Sequence, residues 1–271
     1  MRLLLLTTLV MTAFAANSLL NRLGVAGYGM DPFAFAAIRV AAGAAVLGLL
    51  VRGRLALSPA RAVGAGALAL YMLGFSWAYL GLGAGVGALI LFGTVQLVMF
   101  GWAVLRGAPV PALRWIGAAV AFGGLAWLLW PGAVATIPLL PAAAMVAAGI
   151  GWGAYSLLGQ GEARPLVATA GNFALCLPVV LVPALIIPGD WPPGGVITAV
   201  VAGAVTSGLG YALWYRVLPR LEPTTAAVSQ LSVPVIAVLG GALLLAEPLT
   251  ARLVLSAALV LGGIGLSLLR R

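Results

Sequence analysis

Residues 62–105 read AVGAGALALYMLGFSWAYLGLGAGVGALILFGTVQLVMFGWAVL, a run of forty-four with no charged side chain. A helix crossing the hydrocarbon core of a bilayer uses roughly 20 apolar residues. The run is therefore two crossings, and it must turn back on itself once. Gly81, Gly83, Gly85 and Gly87 mark the place for that reversal, since glycine enters a turn without a steric penalty.

The rest of the chain has the same character. Of its 271 residues, 63% are hydrophobic and 7% charged, and the mean hydropathy is +1.18. A soluble domain carries roughly a quarter charged residues, so lipid has to be the main solvent here. Breaks in hydrophobicity mark ten spans, near 3–21, 32–51, 62–81, 86–105, 112–130, 139–158, 165–187, 195–214, 224–245 and 251–269. With short connections they take up the whole length. The expected fold is an all-α integral membrane protein of ten transmembrane helices. Arg2, Leu3–Leu6 and Ala13-Phe14-Ala15 also imitate a cleaved leader. Against that reading, the internal repeat described below needs this segment as a permanent helix.

The net charge of +9 comes from fourteen arginines against five acids, with no lysine and no histidine. The arginines are scattered at span ends and form no basic run, so nucleic acid is not an expected partner. Their placement reports orientation instead. With the N-terminus in the cytoplasm, Arg2, Arg52, Arg54, Arg61, Arg106, Arg114, Arg164, Arg216, Arg220, Arg270 and Arg271 fall inside. Arg22 and Arg252 fall outside, and Arg39 lies within a span. This bias predicts an even number of spans with both termini in the cytoplasm. The single cysteine, Cys176, sits in an apolar run and reads as a packing residue.

The chain repeats itself at about half its length. Ala16-Asn17-Ser18-Leu19-Leu20 matches Ala154-Tyr155-Ser156-Leu157-Leu158 at an offset of 138. Pro109 matches Pro248 and Gly123-Gly124 matches Gly262-Gly263, both at 139, while Trp77 matches Trp214 at 137. Two five-helix halves, 1–134 and 135–271, follow from this spacing. Five is odd, so the second half enters the membrane inverted. Many secondary transporters are built this way, with the solute held near the midplane between the halves.

With its two five-helix halves and short loops, the chain resembles the drug/metabolite transporter superfamily, EamA type. Pro32 and Arg39 opening the second helix, Glu247-Pro248 after the ninth and a Gly-rich last helix carry that likeness. Within the superfamily it is similar to the YddG-type amino-acid exporters, through Gly151-Trp152-Gly153-Ala154-Tyr155, Gly210-Tyr211-Ala212-Leu213-Trp214 and the region of Pro234. It departs from the family after the fourth helix, where Gly107-Ala108-Pro109 replaces a glutamate. The resemblance implies export of amino acids, aromatic ones included, and similar small metabolites across a bacterial inner membrane, by alternating access through a central cavity. A proton-coupled multidrug or cation exporter, and a passive channel, are the alternatives.

Polar and aromatic side chains inside apolar spans are the informative ones, because hydrocarbon cannot satisfy their hydrogen bonds. Ser207, Tyr211 and Trp214 share one helical face by spacing. Met72, Ser76 and Tyr79 do the same, with Trp77 beside them, and Trp152, Tyr155 and Ser156 add a third group. Asn17, Thr94, Gln96 and Gln230 supply further donors and acceptors to the expected solute path. Aromatic faces with a few amides suit an uncharged or zwitterionic organic solute. Serine and threonine in such helices usually bond their own backbone, and Trp115, Trp130 and Trp191 fit an interfacial belt. Pro178, Pro183 and Pro234 are expected to kink their helices. Arg39 either meets a solute carboxylate or ties to Asp31 or to helix-end carbonyls, and the structural tie is favoured.

Asp31, Glu162, Asp190, Glu222 and Glu247 all fall at span ends, which leaves no midplane carboxylate for a proton relay. Glu247 is the one acid that could be drawn inward. No phosphate loop, metal-ligand spacing or nucleophile–base pair occurs, so neither an enzyme nor a cofactor or metal is expected. The partners expected are a small-molecule solute and the lipid bilayer. A single copy is compatible with this design.

Overall fold

Helix follows helix along the chain. The computed structural model describes residues 2–107, 110–130, 137–160, 162–221 and 229–268. Among them are α1 (Arg2–Gly27), α2 (Pro32–Leu50), α3 (Ala62–Ala78), α4 (Ala84–Leu105) and α5 (Ala112–Leu129). Then come α6 (Leu139–Leu158), α7 (Pro165–Ile186), α8 (Pro193–Arg220), α9 (Ser232–Leu244) and α10 (Ala251–Leu268). Eight of the ten are long and apolar enough to cross a membrane. At 17 and 13 residues, α3 and α9 are shorter. The start of the expected ninth span, 224–228, lies outside the described residues.

Local chemistry accounts for several boundaries. Asp31 caps α2 by accepting a hydrogen bond from the N–H of Ala34 at 2.7 Å, and Pro32 follows where a missing N–H is harmless. The reversal inside the uncharged run occupies 79–83, so Gly81 and Gly83 serve the turn. Gly85 and Gly87 instead lie within α4, where a Cβ would stand 2.7 Å from Val238 Cγ2 and 2.6 Å from the Tyr79 ring respectively. Those two are packing glycines. Pro178 and Pro183 fall inside α7, which stays helical to Ile186. Pro234 sits in the first turn of α9, where an absent N–H breaks no bond. Two π-helical stretches, Leu23–Gly27 and Ala202–Leu209, were invisible to period counting.

Successive helices run antiparallel, so one end of the bundle gathers Arg52, Arg54, Arg61, Arg106, Arg114, Arg164, Arg216 and Arg220. The opposite end holds Arg22, Asp31, Asp190, Glu247 and Arg252. There Asp31 N–H bonds the Asp190 carbonyl at 3.0 Å, and Arg252 donates to the carbonyls of Trp127 and Trp130. Trp115, Trp130 and Trp191 are exposed at helix ends, where an interfacial belt would place them.

The helices pack α3 on α6, α4 on α6 and α2 on both α7 and α8. Further contacts set α3 on α7, α1 on α8 and α9, α4 on α9, and α5 on α10. Without a hydrophobic drive between helices in lipid, small residues bring backbones together. The α5–α10 seam is one such close approach. A Cβ on Gly263 would stand 2.5 Å from the Gly117 carbonyl oxygen and 2.6 Å from Ala121 N, whereas one on Gly262 meets nothing within 4 Å. We expect Gly263→Ala to lower the unfolding temperature in detergent, with a cost of ~1–3 kcal/mol typical of overpacking. The same change at Gly262 should be neutral. Equal melting of the two variants would mean that the seam yields.

Candidate functional site

One hollow of about 620 Å³ runs into the bundle from the arginine-rich end, where Gly159, Gln160 and Pro219 are exposed at its mouth. Its walls come from α1 (Phe14), α4 (Gln96 and Met99), α6 (Trp152 and Tyr155), α8 (Tyr211, Trp214 and Tyr215) and Gln230 just ahead of α9. Aromatic rings dominate it. Trp152 stacks on Tyr155 with centroids 5.6 Å apart and leans over Tyr211 at 5.3 Å and Tyr71 at 5.0 Å. Phe14 meets Tyr211 edge-on at 5.7 Å and Trp214 at 6.1 Å. Beyond this ring layer a remnant of about 20 Å³, lined by Asn17, Ser18, Tyr71 and Phe75 among others, has room for about one water.

The expected path residues divide. Gln96, Trp152, Tyr155, Tyr211, Trp214 and Gln230 border the large hollow, and Asn17 borders the remnant. Asn17 Oδ1 accepts from the Thr206 hydroxyl at 2.6 Å, which ties α1 to α8. The others stand elsewhere. Thr94 is buried where α4 crosses α6 so closely that a Cβ on Gly149 would be 2.6 Å from it. Ser76 is buried and accepts from Asn21 Nδ2 at 3.1 Å. Tyr79 is buried at the opposite end, its ring edge-on to Phe75 at 4.8 Å. Trp77 is half-buried and borders neither hollow.

On α3 the spacing rule therefore picked the stripe through Met72, Ser76 and Tyr79, while the wall uses Tyr71 and Phe75, four residues apart. Their aromatic i, i+4 spacing was the available signal. Phe14, Met99 and Tyr215 were missed too, with no signal to separate them from lipid-facing neighbours. Ser207 also leaves its expected face. It lies in the π-helical stretch of α8, whose wider turns swing it toward α2 and away from Tyr211 and Trp214.

Arg39 is fully buried, and it reaches neither Asp31 nor a helix-end carbonyl. Eight residues of helix put Asp31 roughly 12 Å away along the axis, and Asp31 is engaged in capping. Arg39 Nε donates to Ser207 Oγ at 3.1 Å and Nη2 to the Tyr71 hydroxyl at 2.9 Å. The guanidinium also faces the rings of Tyr71 at 5.2 Å and Phe75 at 5.1 Å.

The opposite end is shut by a charged tie. Arg22 Nε lies 3.6 Å from Glu247 Oε1, and its Nη1 donates to the Tyr79 and Leu80 carbonyls at 2.8 and 3.3 Å. Glu247 Oε1 also accepts from Ala84 N–H at 2.8 Å, a carboxylate on the N-terminus of α4. A turn builds this position. Leu245 and Glu247 N–H groups both bond the Gly241 carbonyl at 3.0 Å, with Ala246 between them at φ 53°. The tie thus joins α1, the α3–α4 turn and the α9–α10 turn. Outside it lies a second hollow of about 670 Å³, bounded by Arg22, Trp127, Glu247 and Arg252.

The described acids all stand at helix ends, and Glu162 pairs with Arg61 at 3.0 Å. Glu222 lies outside the described residues. No cluster of three or more metal-ligating side chains occurs among the described residues.

Comparison with known proteins places this arrangement. Residues 139–269 match the model of the EamA-like transporter family. The chain is similar to an uncharacterized protein of Pseudomonas aeruginosa, 45% identical over 275 aligned residues that cover 100% of this chain and 96% of that protein. An uncharacterized transporter of Archaeoglobus fulgidus is 45% identical over 65 residues, 24% of each chain. A solved crystal structure shares the fold with a TM-score of 0.67 at 23% identity, covering 97% of this chain and 96% of that one. The chain, a multi-pass membrane protein, belongs to the EamA-like transporter family.

Proposed function

We propose that the chain carries small organic solutes, amino acids with aromatic or apolar side chains among them, out of a bacterial cytoplasm by alternating access. The observation that carries this reading is an aromatic hollow, reached from the arginine-rich end and closed at the other by the Arg22–Glu247 tie. Stacking rings and a few amides favour uncharged or zwitterionic bodies. In this reading the arginine-rich end is cytoplasmic and the structure is the inward-open state.

The halves 1–134 and 135–271 are the two inverted units. Helix packing supports this division, since moving five helices along the chain turns the main contacts into one another. The contact of α3 on α6 becomes α8 on α1, α4 on α6 becomes α9 on α1, and α2 on α8 becomes α7 on α3. The pairs α2–α7, α4–α9 and α5–α10 map onto themselves.

Two measurements bear on the proposal. Impermeant thiol reagents applied to intact cells should label cysteines placed at Gly83 and Asp190, and reach those at Arg54, Gly107 and Arg220 only after permeabilisation. The reverse pattern would invert the direction of export. Counter-flow of a panel of radiolabelled amino acids through purified, reconstituted protein should be saturable and solute-selective. Flux that rises linearly with every solute would make the protein a channel.

A further inference from the structure

Arg39 is a buried cation left without an anion. Among the described residues no carboxylate lies within ion-pair distance of it, and its Nη1 has no hydrogen-bond partner. A guanidinium held away from water is costly unless its charge and donors are answered. Serine and tyrosine hydroxyls answer two donors and no charge. Its two aromatic neighbours, Tyr71 and Phe75, are also wall residues of the remnant beyond Trp152, so one layer of rings separates the cation from the solute space.

The direction of the Arg39–Tyr71 bond matters. Arginine has donors only, so the Tyr71 hydroxyl accepts from Nη2 and keeps its own proton to give. A hydroxyl polarised by a cation behind it is a strong donor, and the low dielectric of the bundle enhances both effects.

We propose that Arg39, acting with the Tyr71 hydroxyl, recognises the carboxylate of an organic solute whose body lies among Trp152, Tyr155 and Tyr211. The carboxylate accepts from Tyr71 O–H and neutralises the guanidinium across or past the ring. The inference rests on the hollow being the solute site. A free inorganic anion such as chloride shares the charge, but the aromatic walls favour an acid with an organic body.

The test is binding, read by tryptophan fluorescence and thermal shift on purified protein in chloride-free gluconate buffer. The probes are acid–amide pairs: phenylalanine and phenylalaninamide, tryptophan and tryptophanamide, leucine and leucinamide. For at least one pair the acid should bind ten or more times more tightly than the amide. Tyr71→Phe should cut that ratio severalfold, and Arg39→Gln should bring it near one, with amide affinity held within about threefold. Arg39→Lys should restore part of it. Tyr71→Phe keeps the ring packing, so it carries the test if Arg39→Gln fails to fold.

Equal binding of acid and amide in the wild type, no binding of any pair, or a ratio untouched in Tyr71→Phe would each overturn the proposal. So would chloride at physiological concentration that stabilises the protein and erases the preference, which would make this an inorganic-anion site. The readout does not use transport. Discrimination without flux would fail only the transport reading, and flux without discrimination would fail only this one.

Discussion

Replacing Trp152 by alanine should reduce solute affinity by ten- to a hundredfold while the protein still inserts. Trp152 is the ring that Tyr71, Tyr155 and Tyr211 all meet, at 5.0, 5.6 and 5.3 Å. A ring pair contributes ~0.5–1.5 kcal/mol beyond simple burial. The substitution removes three such contacts and the largest flat surface a solute can stack on. Trp191→Ala, at an exposed helix end, is the matched control and should leave flux unchanged. If Trp152→Ala transports as wild type at equal membrane content, the solute passes elsewhere. Tyr155→Phe is the gentler companion. Its hydroxyl contacts Thr169 and Asn172 only at 3.4 and 3.5 Å, so it should change affinity less than Trp152→Ala.

Glu247→Ala should open the end of the molecule that Arg22 now closes. The change removes the ion pair and a charged acceptor for Ala84 N–H together. Hydrogen bonds to charged groups are worth about 1.5–3 kcal/mol, and ~2 kcal/mol corresponds to roughly a thirtyfold change in a two-state ratio. The reporter is a cysteine at Ser18, buried beside the deep remnant, in a Cys176→Ala background. An impermeant maleimide added on the Glu247 side should label it many times faster in Glu247→Ala, and Glu247→Gln should fall between. Unchanged labelling would mean that other contacts hold that end shut. With every described acid at a helix end, flux driven by a pH gradient alone is not expected. Uphill accumulation that disappears in Glu247→Gln would reverse that.

The ten helices were legible because hydrocarbon imposes its length on each apolar run, and even the uncharged stretch 62–105 could be divided at its glycines. The boundary error at Gly85 and Gly87 has a plain cause. Glycine serves turns and tight crossings alike, and a single sequence does not say which. Wall residues of the hollow on α6 and α8 were legible because aromatic side chains cluster there. On α3 the pattern misled, since Ser76 looked functional by polarity and is engaged by Asn21 instead. Arg39 was conspicuous as a charge, yet its partners, Tyr71 and Ser207, come from distant helices. Nothing in local spacing points to them, and the π-helical turn that delivers Ser207 has no periodic signature.

The tie at Glu247 has no mirror image. At the repeat offsets Arg22 corresponds to Gln160 and Glu247 to Ala108, so neither charge recurs at the other end. Under the two-repeat reading, one of the two accessible states has a clasp that the other lacks, and the resting population leans toward the arginine-rich side. A solute arriving there meets a ready cavity. One arriving from the Glu247 side must wait for the minority of molecules with the clasp undone, and its apparent affinity falls by that fraction. Half-saturating concentrations then differ between the two faces, although net flux still vanishes when the concentrations are equal. Such a carrier is not a pump. It saturates early from one side and late from the other, while at scarce solute the two directions stay equally permeable.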